Sequence, residues 1–325
     1  MKNICRICQN AEKNVFHKAR EMMFGMRDEF DYLECSNCGT LQICEIPDLS
    51  HYYPQDYYSF KPDEESRSDK SLRQRIIARL IGKYLVTGRG FPGKYLVQRY
   101  PDIASLFPAS LRQDFLNLRL DSKILDFGCG AGNLLKNLRF LGFRNLTGAD
   151  AFIENDIFYP DGVKIYKKSL AELKPSFDFI MLHHSFEHFP NPLESLREIY
   201  RLLSKGNFCL VRIPVKNFAW GKYGVNWFQL DAPRHLFLYT EESFRKLAEK
   251  AGFEVFKTIY DSEVHQFYIS EQYAQGISMF DERAFRGDFS KSIFTSEQLK
   301  KWELQTEVLN REKRGDQACF YLRKT

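Results

Sequence analysis

Between residues 123 and 140 the chain reads KILDFGCGAGNLLKNLRF: a short apolar run, a loop with glycine at every second position, then a stretch of helical periodicity. No other segment constrains the fold as much. A strand that turns through glycines straight into a helix opens a strand-helix-strand unit, which needs a parallel sheet to bury it. The partner strand, NLTGAD at 145–150, follows at once. The alternation then continues, with predicted strands FDFIMLHH (177–184), NFCLVRIPV (207–215), EVFKTIYD (254–261) and QACFYLRKT (317–325). Helices are expected at 191–204, closed by Gly206, and at 241–253. This pattern predicts an α/β fold with a mostly parallel sheet and helices on both faces. Only an insertion at 270–313 separates the last two strands, which predicts an antiparallel finish.

The loop holds Asp126, Gly128, Gly130 and Gly132, a D-x-G-x-G-x-G pattern at the carboxyl end of the first strand, where open α/β sheets bind ligands. A dinucleotide fingerprint needs its third glycine at 133, and that residue is Asn133. Asp126 would repel a pyrophosphate but suits a ligand carrying an ammonium and a sulfonium. Asp150 ends the second strand, 18 residues after Gly132, where a carboxylate can accept from both hydroxyls of a ribose. The expected ligand has a ribose, positive charge and little or no phosphate.

LDFGCGAG, GAD, FDFIMLHHSFEH and PNPLESLREIYRLLSKGNFCLVRIP together resemble the motifs of class I S-adenosylmethionine-dependent methyltransferases, over roughly residues 115–325. The resemblance implies a Rossmann-like, doubly wound sheet and S-adenosyl-L-methionine as cofactor. It implies that Gly128, Gly130 and Gly132 let the backbone approach the methionine part. Asp126 would support the loop or the ammonium, and Asp150 would hold the ribose. Adenine would lie near Ala151, Phe152, Ser169 and Leu170, with Ser169 standing where the family often has an acid. His183 would close over the methionine part.

Of eight cysteines, five fall in the first 44 residues. Cys5-x-x-Cys8 and Cys35-x-x-Cys38 are two knuckles 26 residues apart, able to present four thiolates to one tetrahedral ion. The expectation is structural Zn2+ in a small zinc-ribbon-like domain, because four thiolates leave no open position for chemistry. A redox role is the alternative. Domains are therefore expected at 1–60 (four-Cys, zinc-binding), 61–118 (basic helical linker or cap) and 119–325 (methyltransferase). This order resembles a group of these methyltransferases with an N-terminal zinc-binding domain, which includes sugar C-methyltransferases and members from polysaccharide gene clusters. The tail here is shorter than the C-terminal domain of the known sugar C-methyltransferases.

Methyl transfer to a hydroxyl or an enolisable carbon needs a base near neutral pKa. His184, Glu187 and His188 follow the fourth strand and His235 the fifth, both at the ligand-binding edge. The four are expected to face the substrate, with His235 or His188 as base and Glu187 orienting it. The alternative is that they brace the neighbouring helix and loop. Arg234 could meet a substrate phosphate or form a plain salt bridge. Trp220, Tyr223, Trp227 and Phe228, or Tyr52, Tyr53, Tyr57 and Tyr58, could wall a sugar ring.

From Lys70 to Pro101 there are eight Lys/Arg and no acid, with Leu72, Ile76, Ile77, Leu80, Ile81, Tyr84 and Leu85 at helical spacing. Gly88, Gly90, Pro92 and Gly93 are expected to end this helix, and a second apolar-periodic stretch to run over 94–118. The helix at 70–85 either packs its stripe on the methyltransferase or makes peripheral contact with a membrane. The chain has 325 residues, 44% of them hydrophobic, and a net charge of +5, which excludes wholesale disorder and a nucleic-acid-coating role. The charged start with two Cys is unlike a signal peptide, so a cytoplasmic protein is expected. The expected substrate is a small-molecule sugar, nucleotide- or lipid-linked, from polysaccharide biosynthesis. Methylation of RNA or protein is the alternative, although no N/D-P-P-Y/F motif follows the fourth strand, and so is a cofactor-binding module without turnover.

Overall fold

The computed structural model describes residues 3–54, 57–61, 70–287 and 292–325. The polar stretch 62–69, expected to mark a boundary, lies outside the described residues, as does the side chain of Tyr58.

Strands β1 (Val15–Arg20), β2 (Glu29–Glu34) and β3 (Leu41–Ile43) make a small antiparallel sheet. The cysteine knuckles sit at its end, each closed by a main-chain bond, Gln9 N–H to Cys5 O and Gly39 N–H to Cys35 O. Gln9 and Gly39 take φ of 64° and 72°, the left-handed turn that lets the chain double back after each second cysteine.

Helices α1 (Leu72–Thr87), α2 (Phe91–Arg99) and α3 (Pro101–Ser105) follow. A Ser71–Gln74 capping box starts α1, and left-handed Gly88 ends it. Pro92 and Gly93 do not serve as terminators. Proline is tolerated in a first turn, so they open α2, and Gly93 fits because a Cβ there would lie 2.3 Å from the Tyr84 Cβ. The 94–118 stretch is broken at Pro101 and Pro108 into α2, α3 and single turns.

The remaining chain runs β4 (Lys123–Phe127), α4 (Asn133–Phe140), β5 (Asn145–Ala149), β6 (Ile157–Phe158), β7 (Lys164–Tyr166), β8 (Phe177–His183), α5 (Pro192–Leu202), β9 (Leu203–Pro214), α6 (Phe218–Tyr223), β10 (Phe237–Leu238), α7 (Glu241–Lys250), β11 (Phe253–Tyr260), α8 (His265–Ala274), α9 (Ser296–Arg311) and β12 (Gln317–Lys324). The large sheet has the order β11-β12-β9-β8-β4-β5-β7-β6. From β7 to β9 the neighbours are parallel, and β12 enters antiparallel between β9 and β11, the expected finish. Gly206 does not close a helix: α5 stops at Leu202 and Gly206 lies inside β9. The 270–313 insertion supplies the second half of α8 and all of α9.

Alternate strand residues enter opposite cores. Ile124, Phe179 and Met181 pack with α4 and with Ile81 of α1, while Leu125, Ile180 and Leu182 pack with α5 and α7. The second core also contains Tyr32, Leu33, Leu41 and Ile43 of the small sheet. That sheet is completed by β10, which pairs antiparallel with β3. Residues 3–44 therefore share both a sheet and a core with the α/β unit.

Candidate active site

The strand order reverses at β4, which has β5 on one side and β8 on the other, and a cavity of about 890 Å³ opens beyond their carboxyl ends. Asp126, Gly128, Asp150, Ala151, Phe152, Ser169, Leu170, His183, His184 and His188 all line it. Gly130, Gly132, Glu187 and His235 are buried and are not among its lining residues, so Glu187 and His235 do not face it as expected.

The three loop glycines have φ of 77°, 53° and 77°. A Cβ on Gly128 would lie 2.4 Å from the Ser185 Cβ, on Gly130 2.1 Å from the Ser59 carbonyl oxygen, and on Gly132 2.5 Å from the Ile165 Cδ1. The absent side chains thus make room for protein atoms, while the loop offers main chain to the cavity at Gly128 and Cys129. Ser59 O also accepts the Ala131 N–H at 2.9 Å, so the segment before residue 62 is tied down on the loop.

Asp150 accepts from Gly130 N–H and Phe152 N–H, each at 2.8 Å, and is held open to the cavity by them. Asp126 is almost wholly buried, and burial, with the nearby Asp150 charge second, raises its pKa to about 8. The Ser169 hydroxyl is engaged with Glu172 at 2.6 Å, which leaves Leu170 and Ala171 as the apolar edge beside it.

At the end of β8, burial lowers the pKa of His183 to about 3, so its imidazole is neutral. His184 adopts φ 49°; its Nε2 lies 2.8 Å from Arg212 Nη1 and so accepts, which puts its proton on Nδ1, 3.5 Å from Glu187 Oε1. Ser185 Oγ donates to Phe127 O at 2.9 Å and pins β8 to β4. His188 Nδ1 lies 2.8 Å from Arg234 O and 3.1 Å from Tyr53 Oη. His235 packs edge-on against His188 at 4.9 Å between centroids, and its Nδ1 meets Gln229 O at 2.7 Å. Burial lowers its pKa to about 4.

Arg234 is fully buried and bonded to Asp231 at 2.6 Å and to Glu21 at 3.0 Å. It is a bridge between the small sheet and the α/β unit, not a phosphate contact. Trp227 is likewise buried, donating to Asp316, and none of Trp220, Tyr223, Trp227 and Phe228 lines the cavity. The aromatic wall comes from the other candidate set. Tyr53 and Tyr57 line the cavity with Phe60, and Tyr53 stacks on Phe152 at 5.7 Å. Tyr52 turns away to Asp28. Sequence reasoning missed Ser59, Ser185 and the α5 residues Asn191, Glu194, Ser195 and Glu198, which line the cavity at i, i+3, i+4 and i+7 spacing. The spacing was a usable signal. For Ser59 there was none.

Away from the cavity, the Cys5–Cys38 and Cys8–Cys35 Sγ pairs lie 3.7 and 3.5 Å apart, and all four sulfurs are within 4.8 Å of one another. Tetrahedral zinc at about 2.3 Å from each thiolate separates sulfurs by a little under 4 Å, so the quartet fits that ion.

Residues 99–258 match the family model described as "Methyltransferase domain". A ubiquinone biosynthesis O-methyltransferase of Xanthomonas oryzae pv. oryzae is 29% identical over 160 residues. That match covers 44% of this chain, and the chain spans 65% of the length of that curated relative. Among solved structures, a SAM-dependent methyltransferase from Thermotoga maritima aligns at 18% identity and TM-score 0.41, over 76% of this chain and 99% of that one. The cyclopropane synthase MmaA2 of Mycobacterium tuberculosis aligns at 15% identity and TM-score 0.41, over 69% and 83%. The match to the methyltransferase-domain model falls on the same stretch of chain as the strand-order reversal and the glycine-loop cavity.

Proposed function

We propose that this protein transfers a methyl group from S-adenosylmethionine to a sugar or glycan intermediate. The observation that carries the reading is the composition of the single cavity joining the Asp126–Asp150 cradle to the His188 cluster. Among the described residues, its lining contains four carboxylates, Asp126, Asp150, Glu194 and Glu198, and no Lys or Arg. That suits a cationic cofactor and an acceptor that is neutral or amino-bearing, so a diphosphate on the acceptor would stay outside. Asn191, Glu194, Ser195 and Glu198 form a ladder of hydrogen-bonding groups for a polyol, and Tyr53, Tyr57 and Phe60 give a ring an apolar face.

The bound cofactor supplies an electrophilic methyl on a sulfonium. Asp150 holds the ribose, Asp126 neutralises the ammonium, and Ala151, Phe152, Ser169 and Leu170 edge the adenine. The acceptor lies towards His184 and His188, where the His–Glu cluster takes its proton. The cysteine quartet holds structural zinc. The hairpin of α1 and α2 exposes Leu72, Ile76, Phe91 and Tyr95 among its seven cations, which supports peripheral contact with an anionic membrane carrying a lipid-linked acceptor. Sedimentation with anionic but not zwitterionic vesicles checks that contact.

Transfer of radiolabelled methyl from S-adenosylmethionine into fractionated extract tests the whole reading. Label is expected in nucleotide-sugar or lipid-linked glycan fractions. Label in RNA or protein would overturn the acceptor assignment and leave the methyltransferase assignment standing.

A further inference from the structure

Behind the cavity wall is a buried carboxylate whose contacts are all long. Glu187 is fully buried, and neither of its oxygens has a hydrogen bond among the described residues. The Nδ1–H of His184 lies 3.5 Å from its Oε1 and the Nε2 of His235 lies 3.9 Å away. A buried carboxylate left unpaired is among the most unfavourable arrangements in a protein interior, and it is resolved by a proton or by a cation.

The imidazoles of His235 and His188 are prepared for the second solution. His235 Nδ1 lies 2.7 Å from the main-chain oxygen of Gln229, which can only accept, so the ring proton is on Nδ1 and Nε2 presents a lone pair between Glu187 Oε1 at 3.9 Å and Asp231 Oδ2 at 3.8 Å. His188 Nδ1 lies 2.8 Å from the Arg234 carbonyl and is fixed in the same tautomer. An imidazole that donates one N–H to a carbonyl while offering the other nitrogen is how ligating histidines are oriented. One ring nitrogen of each histidine and a carboxylate oxygen of Glu187 fall within 4.8 Å of one another.

We infer that Glu187, His188 and His235 bind a divalent metal ion, separate from the cysteine quartet. Two imidazoles and one carboxylate suit Mn2+, Fe2+, Co2+ or Zn2+ and leave coordination positions open. His188 belongs both to this set and to the cavity lining, so the open positions adjoin the acceptor end of the cavity. There the ion would lower the pKa of the acceptor hydroxyl to be methylated, a role that would replace proton acceptance by His188 and His235, whose free ring nitrogens it takes. Ion binding stands without the proposed function; only the role of the ion rests on it.

The test uses full-length protein loaded with one zinc per chain, enough to fill the thiolate site and leave the second site open, titrated with Mn2+ while free Mn2+ is followed by its EPR signal. One Mn2+ per chain is expected. Glu187→Gln and, separately, His235→Gln are expected to weaken binding about 100-fold or more, while cofactor affinity and circular dichroism stay unchanged. His188→Gln is the second variant should Glu187→Gln fail to fold. Absence of Mn2+ binding by the wild type, or equal binding by folded variants, overturns the inference. Because no cofactor or acceptor is present in that titration, failure here leaves the methyltransferase reading intact, whereas loss of cofactor binding would sink that reading alone.

Discussion

Asp126 is a carboxyl group whose protonation the fold controls. Its pKa of about 8 lies above the unfolded value of about 3.9, so between these limits the native state binds more protons than the unfolded one. Its contribution to stability is complete below the unfolded pKa and is lost as pH rises through about 8. Wild type is therefore expected to lose more stability between pH 5 and 8 than Asp126→Asn, as read from urea midpoints at each pH. Cofactor binding has the opposite slope. A cation favours the carboxylate, so wild-type affinity should rise with pH towards 8 and that of Asp126→Asn should not, which calorimetric titration decides. Asp150 is held by two main-chain donors instead. Asp150→Ala is expected to weaken cofactor binding about 10- to 100-fold, as for a lost hydrogen bond to a charged group, while His235→Ala changes it little and chiefly lowers turnover. Equal losses of affinity would reject that division of labour.

Among the elements, α1 shows how position overrides propensity. Replacing a helix-interior glycine by alanine ordinarily stabilises by about 1 kcal/mol. At Gly82 a Cβ would lie 2.0 Å from the Leu141 carbonyl, where α1 meets the end of α4. Gly82→Ala is therefore expected to destabilise the protein by about 1–3 kcal/mol, a reversal of sign that thermal unfolding would register. The apolar periodicity of α1 was legible, but its partition was not. Ile77, Ile81 and Leu85 join the core, whereas Leu72, Ile76 and Leu80 stay exposed, because only half the stripe finds a surface to cover. Strand β10 shows the opposite case. Two residues long, it has too little sequence to announce a strand, and it forms because β3 offers it an edge.

For the whole molecule, the small sheet and the α/β unit behave as one body. The buried Arg234 joins Asp231 to Glu21, and the Thr240 hydroxyl that caps α7 also donates to Cys38 O. Replacing Cys35 and Cys38 by Ser is expected to release one zinc per chain. It is also expected to reduce hydrogen-exchange protection at Phe237–Leu238, well outside the cysteine knuckles, because β10 depends on β3. Unchanged metal content would sink the zinc assignment. Lost metal with unchanged protection would instead show the two parts to be uncoupled.

By itself the sequence determined what is local. The glycine loop after an apolar strand, the alternation of periods and the Cys-x-x-Cys knuckles each act over a few residues through backbone sterics and side-chain spacing, and they were legible without coordinates. So were Asp126, Asp150, His183, His184 and His188 as groups at the binding edge, since the end of a parallel strand has a known place. Only the tertiary structure decided that Ser59 sits on the glycine loop, that Tyr53 reaches His188, that Arg234 is a buried bridge and that Glu187 is fully buried among imidazoles. Glu21 and Arg234 are 213 residues apart, and Tyr53 and His188 are 135 apart. Contacts at that range are chosen by how whole layers pack and which buried polar groups then meet, and no local period or propensity records the choice.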